Sequence, residues 1–338
     1  MITSANYPGG NICCVGKSRE EILVSQELRG TSRWWFYWNM QWKNPSDDQI
    51  SVKFRFANGK VVGPWRPALG KDGRTWRFLG GTGEMSEEFE YTFAPREKVY
   101  FAYAFPYQPR DFEHFCRQYP AVERRVLTSS EAGRPVDLLR LGNPQAEYHV
   151  FFTARAHACE ASASYVLEGT IAALLKQPRV LERYCFHIVP FLDIDGVEAG
   201  DQGKDRSPHD HYLDYIPSPV YRSTAALMDY AAAFKGKTAV YIDFHSPYLM
   251  NLHPFFVLRR PAGEDPISRL ATILEEVTDR NLQTGGIRYE KRYNAEPAGE
   301  LGDWRYPDTP TGSKFFADCG AVLSTTFEMP YYGPPKVE

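Results

Sequence analysis

After Pro106 the chain keeps returning to one pattern, a nearly continuous apolar run followed by a helical or loop segment. Tyr148 to Thr153, Tyr184 to Leu192, Thr238 to Phe244, Pro254 to Leu258 and Ala321 to Phe327 read as strands. Pro109 to Tyr119, Ala161 to Lys176, Val220 to Phe234 and Asp265 to Leu282 read as helices, with Gly236 as a stop for the third. A strand that is apolar on both faces must be covered on both. The pattern therefore predicts an α/β fold, a mixed and mainly parallel sheet with helices on both faces.

The stretch before Pro106 has a different texture. Short aromatic and β-branched runs (Trp34 to Trp42, Ile50 to Phe56, Thr75 to Leu79, Glu87 to Phe93, Val99 to Ala104) are separated by Asn44-Pro45, Asn58-Gly59, Lys71-Asp72-Gly73 and Gly80-Gly81. Asn-Gly and Asp-Gly supply the positive φ of tight hairpins, so this region predicts an antiparallel β-sandwich. With 338 residues there is room for two units, a sandwich over 1–107 and a larger α/β unit over 108–338.

Charge narrows the range of partners. Lys and Arg total 39 against 42 for Asp and Glu, a net charge of -3, which gives no bulk attraction to a polyanion and argues against nucleic acid. No run approaches the roughly 18 to 20 apolar residues that span a bilayer, and Met1 to Gly10 lacks the layout of a signal peptide. The expectation is a cytoplasmic protein without a membrane partner. The six cysteines (Cys13, Cys14, Cys116, Cys159, Cys185 and Cys319) show no paired-motif spacing and read as reduced thiols, Cys159 as a small buried one.

Ligands of open α/β sheets bind at the carboxyl ends of strands, so polar residues directly after an apolar run are the first candidates for chemistry. Three strand ends stand out. His157 and Glu160 follow the run Tyr148 to Thr153 and can turn toward one cation, although a loop histidine and a helix-start glutamate would look the same. His245 ends the run Ala239 to Phe244 and suits a third ligand, with Asp243 on the same side to orient it. Glu328 ends the run Leu323 to Phe327, where a carboxylate can move a proton on and off water. Two imidazoles and one carboxylate are the usual protein set of a catalytic zinc that keeps a position open.

In order and spacing, His157-x-x-Glu160, a lone strand-end His245 and Phe327-Glu328 resemble the signature of the M14 zinc carboxypeptidases. The aromatic sandwich in front is similar to that of the cytosolic carboxypeptidase branch, whose members trim glutamate from protein tails. The resemblance implies one zinc ion on His157, Glu160 and His245, Glu328 as general base, and a peptide or protein substrate. In the family, an arginine between the first two ligand motifs polarises the scissile carbonyl, a role that falls here to Arg206 or else Lys204. An Asn-Arg pair holds the terminal carboxylate, and at its place this chain carries Tyr212-Leu213.

That departure leaves three readings open: a carboxypeptidase, an amidase or endopeptidase on substrates without a free carboxylate, and a noncatalytic zinc-containing binding protein. His209-Asp210-His211 reads as a loop with a structural or substrate-contact role, so Tyr212 and His211 are candidate substrate contacts. Gly302-Asp303-Trp304 resembles the dipeptide downstream of the family's mobile tyrosine, which makes Tyr293 a third. The family continues past the Glu strand into a covering helix, whereas this sequence ends at Glu338, which suggests truncation and an uncovered sheet face.

Overall fold

The structure, a computed structural model, describes residues 2–18, 21–31, 35–81, 83–247, 251–257, 266–282, 288–289 and 309–333. The amino-terminal part carries β1 (Ile2–Ser4), β2 (Cys13–Lys17), β3 (Glu21–Ser25), β4 (Asn39–Lys43), β5 (Ile50–Phe56), β6 (Ala68–Gly70), β7 (Arg77–Phe78), β8 (Glu88–Phe93) and β9 (Lys98–Ala102). They form two sheets, ordered β1-β4-β9-β6-β7 and β2-β3-β5-β8. Pairings are antiparallel except β3 with β5, which run parallel.

Alternation along β5 shows why the sheets stack. Val52, Phe54 and Phe56 are buried while Ser51, Lys53 and Arg55 lie on the outer face. The inward residues join Trp38, Trp42, Phe89, Phe93 and Phe101 in an aromatic core. Its ring pairs sit at tilted, stacked and edge-on angles, with Trp42 and Phe93 at 4.1 Å between centroids.

The expected strand from Trp34 is shorter in the structure. Trp35 to Trp38 are buried but outside any strand, because side chains and turns satisfy their polar groups instead. Gln202 Oε1 accepts from Phe36 N and Tyr37 N at 3.2 and 2.9 Å, and Trp38 Nε1 donates to the carbonyl of Val61 at 2.8 Å. Trp34 lies outside the described residues.

The larger part runs through α1 (Pro109–Gln118), β10 (Glu123–Ser129), β11 (Pro135–Gly142), β12 (Tyr148–Ala154), α2 (Ala161–Leu174), α3 (Pro178–Arg183), β13 (Tyr184–Val189), α4 (Ile194–Ala199), a 3-10 turn (His211–Leu213), α5 (Arg222–Ala232), β14 (Thr238–His245), β15 (Phe255–Val257), α6 (Pro266–Leu282), α7 (Gly312–Asp318) and β16 (Leu323–Glu328). Its seven-stranded sheet has the order β10-β11-β13-β12-β14-β16-β15. The four central strands are parallel and both edges antiparallel, so the fold is a mixed α/β sheet with antiparallel sheets in front of it.

From His149 to Ala154 every residue of β12 is buried. Phe151 packs against Phe234 beyond α5 and against Phe316 of α7, while Phe152 meets Phe186 and Phe244. The register sets Thr153 beside Asp243 and His245 beside Glu328, which brings the carboxyl ends of β12, β14 and β16 together. Among the described residues no helix is long and apolar enough to cross a membrane.

Candidate metal centre

The first two candidate ligands sit on a bend forced by Arg155, whose φ is +61°. Its side chain, 1% exposed, holds that bend from inside: Nε donates to the carbonyl of Ala158 at 3.1 Å, and Nη1 donates to the carbonyl of Tyr107 and to Ser164 Oγ at 3.0 and 3.1 Å. Outside the bend lies the 200–204 loop, where Gln202 O accepts from Cys159 N and Gly203 has φ +84°. A Cβ on Gly203 would stand 2.4 Å from Ala158 N, so only glycine allows the two loops to approach this closely. Cys159 is fully buried, its thiol pushed up to about 12 by burial, which makes it an inert packing group.

On this support His157, Glu160 and His245 converge, with their ligand atoms all within 4.8 Å of one another. Nδ1 of His157 is 2.9 Å from Glu160 Oε1, and Nδ1 of His245 is 2.8 Å from Glu160 Oε2. Each ring turns its other nitrogen to a carboxylate, His157 Nε2 to Asp210 Oδ1 at 3.2 Å and His245 Nε2 to Asp243 Oδ2 at 2.9 Å. Asp243 is in turn held by Thr153 Oγ1, which donates to Oδ1 at 2.7 Å. This is the arrangement in which an outer carboxylate fixes the tautomer of a metal-binding imidazole.

The donor set fits a zinc ion. Two Nδ1 atoms and a carboxylate face one another, and buried Glu160 Oε2 has no hydrogen bond among the described residues although it is in ionic contact with His245. Without a cation, burial would depress both histidines. Asp210 and Glu160 outweigh it and raise His157 to about 9, and Asp243 with Glu160 raises His245 well above its usual range. Burial would also lift Glu160, but Lys204, His157 and His245 hold it well below the usual carboxylate range.

Glu328 ends β16 next to His245. Burial raises its carboxyl to about 6 and Glu160 adds to the rise, against the pull of His245, Lys204 and His157. Its Oε2 is buried with no hydrogen bond among the described residues. Tyr212 closes another side, its ring 5.5 Å from that of His157 and 4.8 Å from that of His245.

The two cations weighed from the sequence part company here. Arg206 is held by Asp193, and its Nη2 is 2.5 Å from Asp201 Oδ2, so two carboxylates engage its guanidinium away from the ligands. The ammonium that reaches the ligands is that of Lys204, 2.7 Å from Glu160 Oε1 and donating to Ser246 O at 3.0 Å. His211 belongs with the Arg206 cluster: its ring stacks on Tyr221 at 3.4 Å, and its Nδ1 lies 3.8 Å from Asp193 Oδ2. Tyr293 and Gly302-Asp303-Trp304 lie outside the described residues.

Asp210 is the partner that sequence reasoning missed. Its place between two histidines drew attention to those, and only the fold shows that the 3-10 turn after it points its carboxylate at His157.

Residues 110–214 match the model of the zinc carboxypeptidase family, Peptidase_M14. Cytosolic carboxypeptidase 6 of Caenorhabditis elegans is 23% identical over 288 residues, 73% of this chain and 62% of that protein. Cytosolic carboxypeptidase 1 of Homo sapiens is 28% identical over 187 residues, 46% of this chain and 15% of that one. The chain thus spans less than two thirds of the length of either. In fold it is similar to a metallo-carboxypeptidase from Burkholderia cenocepacia, with a TM-score of 0.76 at 19% identity over 98% of this chain and 90% of that one. A metallo-carboxypeptidase from Pseudomonas aeruginosa, solved with (2-guanidinoethylmercapto)succinic acid, gives 0.74 at 18% identity over 98% and 90%.

The family-model match over residues 110–214 and the similarity to cytosolic carboxypeptidases support a place in the cytosolic carboxypeptidase-like branch of the M14 zinc carboxypeptidases.

Proposed function

We propose that this chain is a zinc-dependent, metallocarboxypeptidase-like hydrolase that cleaves the C-terminal amide bond of a peptide or protein, with residues 108–338 as its catalytic unit behind a sandwich of residues 1–107. One observation carries the reading: two Nδ1 atoms and one carboxylate converge beside a strand-end glutamate. His157, Glu160 and His245 would hold a single zinc ion. Bound zinc would acidify the attacking water and polarise the scissile carbonyl.

Glu328 accepts the proton of the attacking water and returns it to the leaving amine, a task suited to a carboxyl raised to about 6. Lys204 carries the fixed positive charge that faces the oxyanion as it develops, a role for which Arg206, engaged by Asp193 and Asp201, is less free. Tyr212 lines the cleft where the substrate packs. A cytoplasmic setting follows the names of the relatives.

The decisive variant is Glu328→Gln, which keeps the shape and removes the base. It is expected to retain zinc and to lose hydrolysis of a peptide panel by at least about 10²-fold. Full turnover in that variant would remove Glu328 from the mechanism. The panel includes each peptide with a free and an amidated C-terminus. Hydrolysis indifferent to the amide would turn the reading toward an amidase or endopeptidase.

A further inference from the structure

A second cluster of metal-ligating side chains lies at the opposite end of the sheet. His149, second in β12, pairs with Cys185 of β13, and His187 follows two residues after Cys185, so all three side chains project from one face. All are buried, at 5, 0 and 2% exposure, with His Nδ1 or Nε2 and Cys Sγ mutually within 4.8 Å. His149 is five residues before Ala154, so roughly 17 Å of strand separates it from the bend that carries His157 and Glu160.

We propose that His149 Nδ1, His187 Nε2 and Cys185 Sγ form a binding site for one soft monovalent cation, Cu(I), separate from the catalytic centre.

The geometry supplies the ligand orientation. His149 Nδ1 and His187 Nε2 face each other at 2.9 Å, which requires that at least one be an unprotonated acceptor. The far nitrogen of His187, Nδ1, is 2.8 Å from Tyr230 OH, the outer contact that fixes which nitrogen is left to a metal. When the cation enters, the two facing nitrogens and the sulfur bind it. His187 keeps its proton on Nδ1 toward Tyr230, the proton that His149 Nδ1 shares with His187 Nε2 moves to His149 Nε2, and the one proton released is that of the thiol.

Charge and surroundings select the ion. Aromatic rings cover the site, Phe151 stacking on His187 at 4.6 Å and Phe234 packing on His149 and His187 at 4.4 and 4.7 Å, while the positive charges of Arg140 and Lys237 act on His187 and His149. One thiolate and one monovalent cation add no net charge beside those cations, whereas a divalent ion would add a further positive charge. Thiolate with imidazole is also a donor set that soft Cu(I) favours. Three protein donors match the trigonal coordination that Cu(I) accepts.

The proposal is independent of the hydrolytic reading, and its test separates the two. Cys14 is exposed and Cys13, Cys116 and Cys319 are half-buried, so a C13S/C14S/C116S/C319S background removes the thiols that would bind copper nonspecifically. Under reducing, oxygen-free conditions this protein, freed of metal, is titrated with Cu(I) against a chromophoric Cu(I) chelator. One Cu(I) per chain is expected to resist the chelator, and adding C185S should weaken it by at least tenfold without altering peptide hydrolysis. H157A/H245A should leave it in place. X-ray absorption of the loaded background protein reads the ligands directly, with one sulfur and two nitrogens expected. That spectrum keeps the test decisive even if C185S fails to fold. Retention equal with and without Cys185, loss of the copper in H157A/H245A, a coordination shell without sulfur, or tighter retention of Zn(II) than of Cu(I) by the H157A/H245A protein in a matched competition would each overturn the proposal.

Discussion

Asp243 Oδ2 stands 2.9 Å from Nε2 of His245, on the other side of the imidazole from Glu160, and Thr153 Oγ1 fixes the same carboxylate through Oδ1. A ligand ring oriented in this way should lose affinity when its outer carboxylate loses charge. Asp243→Asn is therefore expected to weaken zinc binding by about 10- to 100-fold while leaving the fold intact. Competition with a zinc chelator measures the change. Affinity equal to that of the parent would show that the contact does not govern the ligand.

Lys204 and Arg206 are two residues apart and do different things. Lys204→Met should keep zinc and lower kcat by about 10²-fold or more, the usual loss when a charge that faces a developing oxyanion is removed. Arg206→Met takes the guanidinium from the buried carboxylate of Asp193 and leaves Asp201 only Arg29, which should cost about 3 kcal/mol of stability in urea unfolding. Turnover per folded molecule should fall far less than with Lys204→Met. If the two variants exchange these phenotypes, Arg206 is the catalytic cation and the assignment of Lys204 is wrong.

How much of this was legible beforehand depended on where each constraint resides. The expected run Ile50 to Phe56 coincides with β5, and Tyr148 to Thr153 falls one residue short of β12, because burial on the two faces is written directly into side-chain polarity. The expectation missed β1 to β3 and β6, three or five residues long, as well as β10 and β11. Glu-Arg-Arg-Val-Leu-Thr-Ser in β10 is an edge strand whose charged residues lie near the surface and form ion pairs with one another and with Glu113, Asp137 and Arg140, so no apolar run marks it. His157, Glu160, His245 and Glu328 follow strand or bend positions that the apolar runs fix. Asp210 and Lys204 sit on a loop shaped by contacts far away in sequence, such as Thr31 bridging to Arg206 and Asn11 Nδ2 donating to Gly200 O at 2.7 Å. No local pattern encodes those.

Metal uptake should depend on pH in a defined direction. Asp210 and Glu160 overcome burial and raise metal-free His157 to about 9, so at neutral pH the ring holds a proton that zinc must displace. His245, which Asp243 and Glu160 raise well above its usual range, holds a second proton, so the apparent zinc affinity should rise with pH between 7 and 9, by roughly tenfold per unit for each displaced proton. Asp210→Asn removes one of the charges that hold the proton of His157 and should flatten the slope. Calorimetry in buffers of different ionisation enthalpy counts the protons released. A count of zero at pH 7 would mean that His157 is already neutral before zinc arrives.

Gln202 links the amino-terminal aromatic segment to the bend that carries the ligands. Its side-chain oxygen accepts from Phe36 N and Tyr37 N, its backbone carbonyl accepts from Cys159 N, and the residue is 1% exposed. Gln202→Ala takes the side-chain acceptor from the buried N–H of Tyr37 and one acceptor from that of Phe36, and an unsatisfied buried donor costs about 1 to 3 kcal/mol. The expected loss of stability is therefore about 1 to 3 kcal/mol, with a drop in zinc affinity because Cys159 lies between His157 and Glu160. Gln202→Glu retains an acceptor oxygen at the same place but buries a charge, so it should recover part of the geometry and still be destabilised. Urea unfolding and chelator competition on the same preparations read both effects. Parent-like values for Gln202→Ala would mean that the aromatic segment and the ligand bend hold their shapes independently.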